Sequence, residues 1–534
     1  MTNEQKRQYR NMAKTASWTM VSRITGLVRD QVTTAMFGAG HVGAAFLFAF
    51  QIPNLFRRLL GEGALTAATV PVLAAKTDEG GKPAAFAFLN YVLRRMLPWM
   101  VGLTLLAIGV ALGWLLLATN LENQYAAELT IWCMPYMPII CIAALFTSAV
   151  NLCGKFGLAE IASSCLNLCM ILGVGFFGYY LADSDIGRAR WLCVGAIAGG
   201  TLQLLIPLWG LKNEGWRSQP VQADVKAWNA LKIAFIPAAL GAGILQVNFL
   251  ISRSLAFNVD VSGLTYYYIA NRIVELPIGL FSTSIATVIF PAMATAYAQN
   301  DQASLGRNFA RGMRLVLAIN VAAAVGFIVF SGKIIKLLFE FGRFTATDCE
   351  RTEIILLLFA LAMPFHALIS IVTRALNVLG KTQETFRVAM VSVAANIVLS
   401  IIAVTTGFGF NGWTGVKGLA LANALAAILQ FILLRRALRR TSDVFFQESL
   451  VLPVFQTLVG SLLMGALAYQ SFQILFGLNQ HWLGMKMNLL VSLAIAAGIG
   501  ASFYAVVLYG WKYPERDMFQ PFVQRVRRLF KREA

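Results

Sequence analysis

Ser148-Ala-Val-Asn-Leu-Cys-Gly-Lys155 and Arg374-Ala-Leu-Asn-Val-Leu-Gly-Lys381 share one pattern, so that Asn151, Gly154 and Lys155 meet Asn377, Gly380 and Lys381 at one constant offset. Each copy leaves an apolar run at a turn. Downstream, Asn167 follows the first copy much as Asn396 follows the second, and Leu202-Gln203 echoes Leu429-Gln430. Upstream, Val70-Pro71 and Phe290-Pro291 each close a long second helix of their half. The two halves therefore run in the same order, and a repeat of this length occurring only twice argues against a solenoid.

The runs around these motifs set the fold class. The chain has 534 residues, 58% hydrophobic and 13% charged, with a mean hydropathy of +0.67; a soluble domain carries about 25% charged residues. Crossing a bilayer takes about 20 mostly apolar residues per helix. About fourteen such spans are expected, centred near Met20, Phe48, Leu105, Ile139, Ile171, Ala198, Ala242, Ala286, Ala322, Leu361, Val393, Ala424, Leu462 and Ala497. The expected fold is an all-α polytopic membrane protein. Six spans fall in each half, an even number, which keeps both halves in one orientation and relates them by a pseudo-two-fold axis along the membrane normal. The expected domains are a six-helix lobe over 1–222, a second over 223–441, and two extra helices with a basic tail over 442–534. The polar stretch from Met1 to Lys14 precedes a first span interrupted by arginines, so that span is expected to stay in the mature protein.

Lys and Arg concentrate in alternate loops. One side holds Lys76 and Lys82, Lys155, Lys212 and Arg217, Arg307 and Arg311, Lys381 and the tail; the other holds Arg188, Arg190, Arg343, Arg351, Lys417 and Lys486. The positive-inside bias then places both termini in the cytoplasm. That asymmetry absorbs much of the formal +19 charge, so no nucleic-acid partner is expected. The end from Phe519 to Phe530, with Arg525, Arg527 and Arg528, reads as lying on anionic headgroups or as a solvated tail. Seven cysteines sit mostly in or beside apolar runs without metal-ligand spacing, and His41, His366 and His481 join no zinc-type motif. No metal site, cofactor or histidine-based catalytic centre is indicated.

The informative residues are charges inside the spans. Arg23, Arg29 and Asp30 interrupt the first, Arg57, Arg58 and Glu62 end the second, Arg94 and Arg95 interrupt the third, and Arg272 with Glu275 interrupts the eighth. A charge at a helix centre costs about 2.5–3.5 kcal/mol on insertion scales. These side chains must therefore face a hydrated cavity or one another. Asp30 and Glu275 neutralise part of the positive charge and leave a surplus, and guanidinium forks suit phosphate oxygens. Arg57 and Arg58 also fit snorkelling to headgroups, and Arg94 and Arg95 fit it better still. Gly26, Gly38, Pro53, Gly61, Gly63 and Pro277 mark breaks that are tolerated where helices line a cavity, or close packing between helices.

Ser22-Arg-Ile-Thr-Gly-Leu-Val-Arg-Asp30, Phe37-Gly-Ala-Gly40, Pro53-Asn-Leu-Phe-Arg-Arg58 leading to Glu62-Gly-Ala64, Tyr267-Tyr-Ile-Ala-Asn-Arg272 with Glu275-Leu-Pro277, and Phe341-Gly-Arg-Phe-Thr345 resemble the MurJ (MviN) family of lipid II flippases over nearly the whole chain. The resemblance implies the multidrug/oligosaccharidyl-lipid/polysaccharide exporter fold, with two six-helix lobes around a central cavity. It implies no enzyme. The activity it implies is movement of undecaprenyl-diphosphate-linked lipid II from the cytoplasmic to the periplasmic leaflet of the bacterial inner membrane, by alternating access. Arg29, Arg57 and Arg272 would hold the diphosphate, with Arg23, Asp30, Asn54 and Glu275 in the same site. Lipid II and membrane lipids are the implied partners, with cell-wall synthesis proteins as further candidates. Alternatives are a flippase for another polyprenyl-diphosphate oligosaccharide, or a membrane enzyme acting on a polyprenyl lipid, for which the short loops offer no acid or histidine cluster. Two positions depart from the family: Ala44 and Asn271 stand where relatives commonly carry acids. The segments around Gln246 and Asn396, which in some relatives help to bind sodium, offer amides here and no carboxylate.

This topology predicts that a single cysteine at position 381 is labelled by an impermeant thiol reagent only after the cytoplasmic side is opened. Labelling of that position in intact cells would reverse the orientation.

Overall fold

The computed structural model describes residues 3–59, 65–155, 157–219, 224–405, 413–478 and 484–518. The readings of Gly61, Glu62, Gly63, Ala64, His481 and the segment from Phe519 to Phe530 lie outside them. The helices are α1 (Asn3–Phe37), α2 (His41–Phe56), α3 (Leu65–Leu117), α4 (Leu121–Cys133), α5 (Tyr136–Leu152), α6 (Leu158–Leu172), α7 (Gly178–Leu181), α8 (Asp185–Lys212), α9 (Val225–Val259), α10 (Val261–Pro277), α11 (Thr283–Ala298), α12 (Gln302–Phe339), α13 (Ala346–Val378), α14 (Thr382–Thr405), α15 (Trp413–Thr441), α16 (Val451–Leu478) and α17 (Met485–Gly510). No strand occurs among the described residues.

All fourteen expected span centres lie in these helices. Among the described residues eleven helices are long and apolar enough to cross a membrane, and the bent pair α4 and α5 makes twelve. The other two expected spans fall short for physical reasons. Arg23, Arg29 and Asp30 crowd α1, and α2 has only 16 residues. The fold is that of a multi-pass all-helical membrane protein.

The helices break where the chemistry demands it. Gly80 and Gly81 leave helical geometry, the latter at φ +69°, and split α3 into two. Pro53 lies in α2, one turn ahead of a widened π-helical turn at 57–59. Pro277 likewise ends α10 directly before a π-helical turn, Ile278–Ser282. Proline removes an i→i−4 donor and crowds the preceding carbonyl, so the chain takes up a wider turn at nearly the same place in each half.

The repeated motif also has a structural cause. Gly154 (φ +80°) and Gly380 (φ +71°) both take the left-handed conformation just past their helices. The Lys155 amide donates to Val150 O (3.2 Å), and the Lys381 amide donates to Leu376 O (2.9 Å). Both are glycine-capped helix ends of the Schellman type.

By packing, the chain forms two compact units, Met1–Thr265 with Phe341–Thr345, and Tyr266–Glu340 with Ala346–Ala534. In the first, α6 and α8 meet along a glycine seam. A Cβ added to Gly195 would sit 2.5 Å from Cys169 O, and one on Gly199 2.7 Å from Leu166 Cα. Beside the seam, Tyr136 OH donates to Gln203 Oε1 at 3.0 Å, and α9 packs through Phe257 against Phe48 of α2 and through Trp228 against Tyr91 of α3. The connection from α8 to α9 is pinned by charge: Glu214 binds Lys82 (2.6 Å) and Lys155 (2.7 Å), and Asp224 binds Lys76 (2.9 Å). Hydrogen bonds from Lys155 and Lys82 hold the Glu214 carboxyl down at about 2. Its support is therefore complete above the ordinary carboxylate range and is lost as pH falls toward that value.

The 341–345 segment seats in the first unit. The Arg343 amide donates to Ala35 O (2.9 Å) and its guanidinium binds Asp185 (2.6 Å). Gly38 (φ +62°) faces Arg343 O, which an added Cβ would meet at 2.6 Å, and Gly342 (φ +56°) lies flush against Ala35 O. The two Phe-Gly motifs thus meet backbone to backbone.

In the second unit a core of Ala286, Met293, Phe309, Ile371 and Leu438 joins α11, α12, α13 and α15. The last two helices attach to α12 through Met464 of α16 and Tyr504 and Leu508 of α17, with Tyr513 just beyond. Tyr513 OH donates to Arg314 O, and the buried Arg314 guanidinium binds Glu448 and Glu515.

The glycines separate two costs. An alanine at Gly380 meets only the left-handed conformation, a penalty of about 1 kcal/mol, because nothing lies within 4 Å of its added Cβ. Gly342→Ala adds a collision with Ala35 O. Thermal unfolding of the purified protein should fall further for Gly342→Ala than for Gly380→Ala, and a cysteine at position 343 should gain reactivity only in the former. Equal effects would remove the seating argument.

Candidate substrate site

The expected site residues enter as separate local constellations, each set by one helix and its irregularity. Arg29 faces the inside of its unit from α1. Its Nε and Nη2 donate to Asp30 Oδ1 at 3.1 and 2.6 Å, and its Nη1 to Asn167 Oδ1 at 3.3 Å. Asp30 is 5% exposed. Asn167, on α6, also donates to Ser22 O (3.2 Å) and Thr25 Oγ1 (3.3 Å). One amide therefore grips α1 at two levels and fixes the Arg29 fork between them. The adjacent Asp30 offsets the guanidinium charge where water is excluded.

Arg57 begins the wide turn after α2, and its Nε donates to Asn54 Oδ1 at 2.8 Å. Pro53 and the wide turn decide where this arginine leaves the helix, and Asn54 decides how it is turned. Arg23 lies half-buried on α1, and Arg94 and Arg95 are exposed on α3.

Arg272 and Glu275 belong to the second unit, one turn before Pro277. Glu275 Oε1 accepts from Asn271 Nδ2 at 2.9 Å. The departure at Asn271 thus has a local account: an amide one turn ahead of Glu275 can donate to it, whereas an acid there would repel it. The structure gathers Arg29 with Asp30, Arg57 with Asn54, and Glu275 with Asn271.

Sequence reasoning passed over Gln51 and Arg253, and it gave Asn167 and Gln246 no partner in the fold. Asn167 appeared only as an echo of the repeat, although an amide in an apolar helix signals a buried polar partner. Gln51, Gln246 and Arg253 line a polar cavity beside Arg58. Arg253 interrupts the seventh span as Arg272 interrupts the eighth, and the same criterion would have selected it.

Comparison with known proteins sets this arrangement in a family. The family model described as lipid II flippase MurJ matches residues 33–491. A probable lipid II flippase MurJ of Vibrio cholerae is 28% identical over 520 residues, covering 92% of this chain and 94% of that one. One of Haemophilus influenzae is 27% identical over 471 residues, covering 84% and 89%. Among solved structures, lipid II flippase MurJ in an inward closed conformation superposes with a TM-score of 0.75 at 22% identity, over 93% of this chain and 99% of that one. An inward-facing MATE transporter of the MOP superfamily gives 0.66 at 16%, over 79% and 96%.

The Asn271–Glu275 bond can be tested by substitution. Asn271→Asp puts a second carboxylate one turn from Glu275 and should lower the unfolding temperature of the purified protein further than Asn271→Leu, which only loses the bond. Equal losses in the two variants would remove the repulsion from this account.

Proposed function

Because the chain belongs to the lipid II flippase MurJ family, we propose that it moves lipid II across the inner membrane, from the cytoplasmic to the periplasmic leaflet, without covalent chemistry. The family match over residues 33–491 carries this reading. The relatives quoted above are named flippases, which favours transport over an enzyme acting on the same lipid.

In this reading the lobes over 1–222 and 223–441 alternate access to a central site, with both termini in the cytoplasm. Arg29, Arg57 and Arg272 hold the diphosphate. A planar fork can present two parallel N–H donors to phosphate oxygens and stays charged at any physiological pH. Asp30 and Asn167 hold Arg29 in its orientation, and Asn54 does the same for Arg57, so less side-chain freedom is lost when substrate binds. Arg23 and Glu275 complete the polar lining. The location of Arg57 and Arg272 beside proline-induced wide turns supports a site that moves, since backbone bonds already rearranged there resist bending less.

Replacing Arg29, Arg57 or Arg272 by alanine should abolish lipid II flipping by the purified protein in vesicles and growth of cells depleted of their own flippase, while the variant stays inserted. Lysine should restore only part of the activity, because it keeps the charge and loses the fork. Alanine variants that still support peptidoglycan synthesis would end the diphosphate reading.

A further inference from the structure

Two thiols face each other inside the first unit. Cys133, the last residue of α4, and Cys193, on α8, bring their sulfurs to 3.3 Å, one thiol donating to the other. Both residues are 0% exposed. A disulfide holds its sulfurs about 2.05 Å apart, so roughly 1.3 Å of approach separates this pair from a bond. The other five cysteines have no such sulfur partner among the described residues.

The position of the pair decides what can happen to it. Glu128 of α4 binds Arg190 of α8 at 2.6 Å, and the Arg190 side chain is 46% exposed. This ion pair marks the polar edge of both helices. Cys133 follows Glu128 by five residues and Cys193 follows Arg190 by three, which at 1.5 Å per residue sets the thiols about 5–8 Å beneath that edge. The charge bias that puts Arg188 and Arg190 outside the cytoplasm therefore puts the pair just under the oxidising face of the membrane, where disulfides form and persist.

We propose that Cys133 and Cys193 become a structural disulfide, formed as the chain inserts and before the packed helices bury the thiols. The disulfide of an exported thiol oxidase supplies the bond: one cysteine thiolate attacks it to give a mixed disulfide, and the second cysteine displaces the remaining oxidase sulfur. The oxidase leaves as a dithiol with both electrons and both protons, and burial then shields the new bond from reduction. The bond also has a mechanical effect. The chain bends by 40° between α4 and α5 directly after Cys133, so the bond ties the start of that bend to α8. Asp185, which binds Arg343, opens α8, and the platform that seats the 341–345 segment thereby becomes one body with α4. The inference uses the expected orientation and does not rest on the proposed activity.

The test counts thiols as they stand in the cell. Cells producing the full-length protein are quenched in acid, denatured and alkylated before purification. Five of the seven cysteines should be alkylated, and digestion should release Cys133 and Cys193 in one cross-linked species, lighter by two hydrogens than its two peptides together. In detergent, prolonged incubation with a dithiol reductant should lower the unfolding temperature of the unmodified protein by several degrees. The double variant Cys133→Ala, Cys193→Ala should begin lower and ignore the reductant. If that variant fails to fold, the thiol count in the unmodified protein still decides. Seven alkylated cysteines, or a disulfide joining any other pair, would overturn the inference.

Discussion

Hydrocarbon offers no hydrogen-bond partners, and most of this structure follows from that scarcity. Every backbone amide in a span has to close its bond within its own helix, which excludes strands with open edges. Polar side chains obey the same rule: Thr33, Thr130 and Thr457 return their hydroxyls to the carbonyl four residues back. After Pro53 and after Pro277 the chain takes a wider, π-helical turn. Where a guanidinium enters, as at Arg29, a carboxylate and an amide come with it.

In each unit the candidate residues take their local placement from those irregularities. Arg57 leaves the chain on the wide turn that follows Pro53, and Arg272 precedes Pro277 by about one helical turn. Asn54, Asn167 and Asn271 each bond a charged neighbour: Arg57, Arg29 and Glu275 respectively. Asparagine suits this work because it donates and accepts at once without adding a charge to desolvate. Each amide thus orients a polar neighbour within its own unit.

Much of this was legible in the sequence, because hydropathy and charge within a span are local properties. The span centres needed only windows of about twenty residues. The Asn-x-x-Gly-Lys motif was legible as a repeat, and its cause, a left-handed glycine closing a helix, is a short-range matter as well. Partners across the fold were not legible. Asp30, seven residues after Arg23 and so on nearly the same face, binds the adjacent Arg29, and Asn167 completes that group from a helix 138 residues away. The meeting of Gly38 with the 341–345 segment is likewise a contact between distant backbones, which no periodicity reports. Arg253 was an oversight of a different kind, since its position in an apolar run was plain.

The wide turns at 57–59 and Ile278–Ser282 give their helices a crank. At 3.6 residues per turn one residue is worth about 100° of azimuth and 1.5 Å of rise, and a π-helical turn holds roughly one residue more than its α-helical equivalent. Sliding that surplus along the helix swings the side chains it passes around the axis while the segments on either side keep their pitch. Rotation is thereby uncoupled from translation: a side chain beside such a turn can be re-aimed without dragging the rest of the helix through the lipid.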